Sequence, residues 1–330
     1  MKKAILFLLV SMLVLSVVSC KGDTGNDIGK DTENITVLLD WVPNTNHTGL
    51  YAAQELGYFE NEGLEVEILQ VNEGGTAQLV AAGQAHFGIS YQEEVTYARV
   101  EEIPVVAIAA IVQHNTSGFA SPVEKGIKTP ADFEGKKYGG WGSPMEEAIL
   151  RAMMDKYDAD FDKLEMVSIG SADFFTSVTK DVDFTWIYYG WDGVAAGLRG
   201  IDLNFINLRK EDEALDFYTP VIIASEETLD QNAELAERFL RAVTKGYEYS
   251  IENPEEAAEF LLKVSPELDR ELVIESQKYL SAEYQSDAPA WGLMKRQIWE
   301  SYAKWMHERD LIENMIDVDK AFTNEYLPGE

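Results

Sequence analysis

ITVLLDWVPNTNHTGLYAAQELGYFENEGLEVEILQV, residues 35–71, reads as a strand, an abrupt turn, an amphipathic helix and a second strand. ITVLLDW is β-rich, and in TGLYAAQELGY Leu50, Ala53 and Leu56 recur at helical spacing before Gly57 ends the helix. LEVEILQV, residues 64–71, alternates apolar and polar side chains as a half-buried strand does. Strand, helix and strand in so short a span are the unit of an α/β fold with largely parallel sheets. The turn is the odd part. Asp40-Trp41-Val42-Pro43-Asn44-Thr45-Asn46-His47 puts a tryptophan, a proline and a histidine where a plain connection would carry Gly or Ser.

The same grammar runs on. GGTAQLVAAGQ gives a helix from Thr76, AHFGIS (85–90) a strand, EEVTYARVEEI a helix and VVAIAAIV (105–112) an apolar strand of the buried kind. It restarts after Gly118 with KKYGG, a helix from Ser143, LEMVSIG, DFFTSVTKD and the strand-to-turn run DVDFTWIYYGWDG, and YTPVIIAS (218–225) reads as a return strand. From AELAERFLRAVTKGYEYSIEN onward the chain is helical and needs a surface to pack on. The economical arrangement is two α/β lobes: 34–117 with 222–330 as lobe 1, 118–221 as lobe 2, and crossovers near HNTSGFAS and YTPVII. In such open sheets a ligand sits beyond the carboxyl ends of the strands, between lobes.

Residues 1–19 carry Lys2 and Lys3 before an apolar run, Ala4 to Val18, and read as an export signal. Ser19-Cys20 matches the bacterial lipobox, so Cys20 is expected to carry a lipid and to become the new N-terminus. Residues 20–33 then form a Gly, Asp and Asn rich tether. Cys20 is the only cysteine, which leaves no thiol for an internal disulfide, a cysteine-bound metal or a nucleophile. With 27 Lys+Arg against 58 Asp+Glu, the net charge of -31 repels nucleic acid and anionic membrane. The four histidines are scattered, and no HExxH, Gly-x-Ser-x-Gly or metal-spaced carboxylate cluster occurs. Neither a catalytic constellation, a metal site nor a cofactor is expected.

Unusual side chains collect at strand ends. Pro43 makes a rigid bend in which Trp41 can be a flat wall, with Asp40, Asn44 and His47 as polar handles; the alternative is that Asp40 and Asn44 only cap a helix and Trp41 is core. Asn72-Glu73-Gly74-Gly75-Thr76 opens a helix whose amides suit an acceptor, and Tyr91 follows the third strand. Gly140-Trp141-Gly142 bares the backbone around a tryptophan, with Ser143 as N-cap and Glu146 either its capping-box partner or a ligand contact. In FTWIYYGWD, alternation puts Trp186 and Tyr188 on one face and Tyr189 on the other. Tyr189, Trp191 and Asp192 complete the candidate set, whose aromatics and carboxylates suit a flat nitrogen heterocycle.

The two-lobed outline resembles the substrate-binding proteins of ABC importers. LDWVPNTNHTGLYAAQELGYFENEGLEVEIL (39–69), with weaker matches in GGTAQLVAAGQAHFGIS, Gly140-Trp141-Gly142 and Phe322 to Leu327, resembles more closely the importer binding proteins for thiamine pyrimidine precursors. These share their fold with the eukaryotic thiamine-pyrimidine synthase. The resemblance implies a type II periplasmic-binding-protein fold, a monomer at the cell envelope that clamps hydroxymethylpyrimidine or its formylamino relative and delivers it to a membrane permease. It places the ring-contacting segment on Asp40, Trp41, Asn44 and His47. The synthase branch uses the matching histidine as a reactant beside a cysteine-rich motif that this chain lacks. Riboflavin and taurine-type ligands are the alternatives within the fold family, and a synthase-type enzyme is the competing class.

Overall fold

The computed structural model describes residues 32–71, 75–170 and 172–329. The export signal, Cys20, most of the tether and the Asn72-Glu73-Gly74 part of the glycine loop lie outside the described residues. No helix among the described residues is long and apolar enough to cross a membrane.

Ten strands form two five-stranded sheets. The first holds β1 (Glu33–Leu39), β2 (Leu64–Gln70), β3 (Phe87–Ser90), β4 (Val105–Ala110) and β10 (Val221–Ser225), in the order β2-β1-β3-β10-β4. The second holds β5 (Ser117–Pro122), β6 (Lys137–Gly140), β7 (Glu165–Ser168), β8 (Phe184–Tyr188) and β9 (Leu203–Asn207), in the order β7-β6-β8-β5-β9. The two orders are the same arrangement twice. In each sheet the fourth strand alone runs antiparallel to its neighbours, and each time it is the strand that has just arrived from the other sheet.

Two of these strands are absent from the sequence pattern. SGFASP of β5 lies where the pattern places only a crossover, and LNFIN of β9 is too polar to register. Their pairing is decided by neighbours, since β5 is enclosed by β8 on one side and β9 on the other. Gly118 is required there: a Cβ would stand 2.3 Å from the carbonyl oxygen of Ile206.

The crossovers are fastened together at their midpoints. Asp216 accepts the Asn115 N–H (2.9 Å) and pairs with Nδ1 of His114 (2.7 Å), whose Nε2 meets Asp287 at 3.0 Å. The Asp216 hydrogen bond above all holds the imidazole above its usual range. Arg209 reaches Glu283 with both terminal nitrogens, at 3.0 and 3.4 Å. The helix Arg296–His307 enters both cores: Trp299 packs with Val318 and Ala321 under the first sheet, while Tyr302, Trp305 and Met306 pack with Met145, Ile149 and Met153 of the second.

The helices Thr48–Glu55 and Ala233–Glu252 cross so closely that glycine is needed on each. A Cβ on Gly246 would lie 2.0 Å from the Gly49 carbonyl oxygen, and one on Gly49 would enter the Tyr247 ring at 2.3 Å. Gly246→Ala gains about 1 kcal/mol of helix propensity and loses more to the backbone clash, so a net destabilisation of about 1–3 kcal/mol is expected in urea unfolding. Unchanged stability would mean the crossing can widen at no cost.

Candidate functional site

The parallel strands of both sheets end at the seam between them. β1 leads into Asp40 and Trp41, β3 into Tyr91 and the helix Gln92–Val100, β6 into Trp141, and β8 into the π-turn Tyr189–Gly193. Among the described residues, four aromatic side chains are broadly exposed: Trp41 (60%), Trp141 (52%), Tyr188 (42%) and Tyr91 (38%). All four stand at these strand ends, two from each sheet. They face common ground. Burial, with the charges of Glu93 and Asp40, pushes Tyr188 up to about 12, although hydrogen bonding to Thr219 pulls the other way. Burial likewise raises Tyr91, with contributions from Glu94, Glu93, Tyr188 and Asp40. Side chains that are open to solvent yet crowded by protein are lining a cleft. Trp141 leans on Trp186 with ring centres 5.4 Å apart.

The turn after β1 is self-contained. Asn44 caps the 3-10 turn Thr45–His47 by accepting the Asn46 N–H at 2.9 Å and donating from Nδ2 to the Val42 carbonyl at 3.0 Å. Nδ1 of His47 accepts the Asn44 N–H at 3.2 Å, so its proton sits on Nε2 and is donated to Asp40 at 2.8 Å. His47 is fully buried. The structure thus corrects the expectation that His47 reads a ligand, since both its nitrogens hold Asp40 and the bend; Asn44 also holds the bend, yet it lines a small recess with Tyr188 and Trp191. Asp40 keeps its second carboxylate oxygen without a hydrogen-bond partner among the described residues. Tyr247 donates to Asn46 O (2.7 Å), and Tyr284 donates to Thr45 O, which ties the turn to the first-lobe helices.

Glu146 is a second correction. It is completely buried, and its carboxylate accepts the Tyr138 hydroxyl at 2.6 Å and the N–H groups of Trp141 (3.1 Å), Gly142 (2.8 Å) and Ser143 (2.9 Å). Gly140 makes room, since a Cβ there would lie 2.2 Å from Glu146 Oε1. Ser143 is the N-cap of the helix Pro144–Lys156, accepting the Met145 N–H at 3.1 Å. Both residues build the platform that presents Trp141, and Glu146 has no capacity left for a ligand. Just beyond the glycine loop, Glu94 accepts the Ala77 N–H at 3.3 Å and the Ser90 hydroxyl.

The β8 segment is corrected by one position. Tyr188, not Tyr189, stands open, because the chain turns into the π-turn at residue 189 and carries the next side chains against the first lobe. Tyr189 packs between Phe205 (5.0 Å) and Tyr279 (5.4 Å), and Trp191 joins Tyr51, Ala258 and Phe260. Asp192 is pushed up to about 6 by burial and by Asp173, offset by Arg199, and is not grouped with Asp40, Glu93 and Tyr188. Of the expected residues, Asp40 and Tyr91 lie close to Tyr188 and Glu93, Trp141 sits on Glu146 beside them, Trp41 stands open at the end of β1, and Asn44 and Trp191 line a small recess with Tyr188. Tyr188 and Glu93 join them; the alternation on β8 and the face shared by Glu93 and Tyr97 were the available signals. A recess of about 740 Å³ lies against β1 and β2, lined by Glu65, Glu67 and Gln70 and by none of the four open aromatics, and a much smaller one of about 20 Å³ has Tyr188 in its wall.

Two like-ordered sheets with crossed fourth strands and a strand-end cleft define the type II periplasmic-binding-protein fold. Within it, the chain belongs to the NMT1/THI5 like family, whose model matches residues 44–257. It is 30% identical to a formylaminopyrimidine-binding protein of Halalkalibacterium halodurans over 96% of this chain and 98% of that protein. It is 26% identical to a 4-amino-5-hydroxymethyl-2-methylpyrimidine phosphate synthase of Legionella pneumophila, over 89% and 92% of the respective lengths. The alkanesulfonate-binding protein SsuA of Xanthomonas axonopodis pv. citri, solved bound to MOPS, superposes with a TM-score of 0.68 at 13% identity, covering 89% of this chain and 99% of that one.

Glu146→Ala strands three backbone N–H groups and a buried hydroxyl, and a loss of about 3 kcal/mol or more in denaturant unfolding is expected. A fold of normal stability in this variant would return Glu146 to the ligand.

Proposed function

We propose that the chain is the extracytoplasmic substrate-binding component of an ABC importer and captures a thiamine-precursor aminopyrimidine of the formylaminopyrimidine class. The observation that carries this is the placing of all four open aromatics at the facing strand ends, beside carboxylates and without a lysine or arginine among the groups acting on Tyr91 and Tyr188. A flat ring stacks on Trp41 and Trp141 while Asp40, Tyr91 and Tyr188 meet its polar edge. The formylaminopyrimidine-binding relative, matched along nearly its whole length, supports the same ligand class. Sulfonates fit less well, because the amides of the Gly-Trp-Gly turn are taken by Glu146 and carboxylates stand beside the open aromatics.

The chain binds its ligand and does not convert it. His47, the position matching the synthase reactant, is buried with both nitrogens engaged, and the lone cysteine lies at the start of the chain. Cys20 carries the lipid that holds the monomer at the envelope, and the partner is a membrane permease.

Formylaminopyrimidine titrated into the purified protein is expected to quench tryptophan fluorescence and raise the melting temperature. Trp41→Ala and Trp141→Ala are each expected to weaken binding by about 1 kcal/mol or more. Because both rings are open, melting without ligand should change little. A response to taurine or nitrate and none to the pyrimidines would overturn the reading.

A further inference from the structure

The helix Gln92–Val100 starts at the cleft and turns one face toward the second lobe. Tyr97 and Val100 pack against the second-lobe core, and Glu93 precedes them on the same face at helical spacing. Its side chain is therefore directed into the seam. There it meets the charge of Glu146 from the other lobe and of Glu94 from its own helix, and its own charge is felt by Tyr91, Tyr97, Tyr188 and Tyr302.

The three carboxyls are not equivalent. Glu146 is saturated by four donors and Glu94 is bonded to Ala77 and Ser90, whereas Glu93 has no hydrogen bond or ion pair among the described residues. No lysine, arginine or histidine acts on it. Burial first, then Glu146 and Glu94, push it up to about 7. The surrounding tyrosines are all raised and stay neutral through that range.

We propose that Glu93 determines which ring the cleft accepts: it selects a heterocycle with a basic ring nitrogen beside an exocyclic amino group, and holds one proton jointly with it. This rests on the pyrimidine-capture reading. The carboxyl O–H donates to the ring nitrogen while its C=O accepts from the amino N–H; with the proton moved across, a carboxylate accepts from both sites of a pyrimidinium. Either form contains one proton more than ionised protein plus neutral ring, and no other bond changes. A ring without the amino group leaves Glu93 half paired, and an anion meets Asp40, Glu93, Glu94 and Glu146 together.

The sign of the pH dependence follows. Above the Glu93 pKa the free protein has lost the proton that the complex needs, so binding takes one up and weakens as pH rises. The test is calorimetric titration of the full chain with 4-amino-5-hydroxymethyl-2-methylpyrimidine in buffers of different ionisation enthalpy. Affinity is expected to fall about tenfold per pH unit above about pH 7, with uptake approaching one proton. Asp192, held up to about 6, has titrated below that window. Glu93→Gln presents the same donor and acceptor without a titrating proton, so its affinity is expected to stay level between about pH 7 and 9, where that of the wild type falls, and its proton uptake to vanish.

A flat ring lacking both the basic nitrogen and the amino group should show no uptake and the same affinity for wild type and Glu93→Gln. The wild-type proton count decides the matter even if that variant folds poorly. Binding of the pyrimidine without proton exchange, or with the same slope in Glu93→Gln, overturns the role of Glu93 and leaves pyrimidine capture standing. No binding at any pH overturns both.

Discussion

Each sheet takes its one antiparallel strand from the segment that has just left the other sheet, and the geometry of the molecule rests on that exchange. Val221, at the start of β10, pairs with Ser90 and Ala110 at the carboxyl ends of β3 and β4, and Ser117, at the start of β5, pairs with Tyr188 at the end of β8. A crossing strand thus enters each sheet at the end where the parallel strands finish. Carboxyl ends from both sheets are brought to one seam, and whatever follows them in sequence becomes its lining. Tyr91 and Trp141 share the cleft because their strands stop there.

The lining is governed by how its backbone amides are satisfied. Turns and helix starts leave N–H groups without intrahelical partners, and such groups attract anions. Here side chains of the chain itself answer that demand. Glu146 fills the Gly-Trp-Gly turn and Glu94 the start of the helix Thr76–Ala81. With the Gly-Trp-Gly amides taken and several carboxylates nearby, that side of the cleft offers π faces, hydroxyls and negative charge. That inventory separates a site for electron-poor nitrogen rings from a site for oxyanions, although the relative bound to MOPS has the same fold.

Much of this was legible in the sequence, and the exceptions have physical causes. Periodicity gave away β2 and the long C-terminal helices, where burial on a defined face controls residue choice, and unbroken apolar or β-rich runs gave away β4 and β1. β5 and β9 were illegible because Gly, Ala, Ser and Asn adopt strand geometry there only through pairing with neighbours. For Trp41 the sequence left wall and core open, and its exposure of 60% at the end of β1 decides against the core. The roles of His47 and Glu146 were not legible, because a polar side chain that holds a turn and one that holds a ligand share the same sequence signature. Tyr188 and Tyr189 differ only in where the strand stops, and the π-turn that decides it has no strong composition of its own.

The helix Arg296–His307, with Trp299 in one core and Tyr302, Trp305 and Met306 in the other, has a consequence for how the molecule comes into being. Neither half can complete its interior from its own contiguous sequence. Both wait for side chains supplied near the end of the chain, so the two cores are completed together. Until that helix docks, the second-lobe residues Met145, Ile149 and Met153 lack the neighbours that cover them. Biogenesis, more than the folded state, is where the sharing of one helix between two halves makes the protein vulnerable.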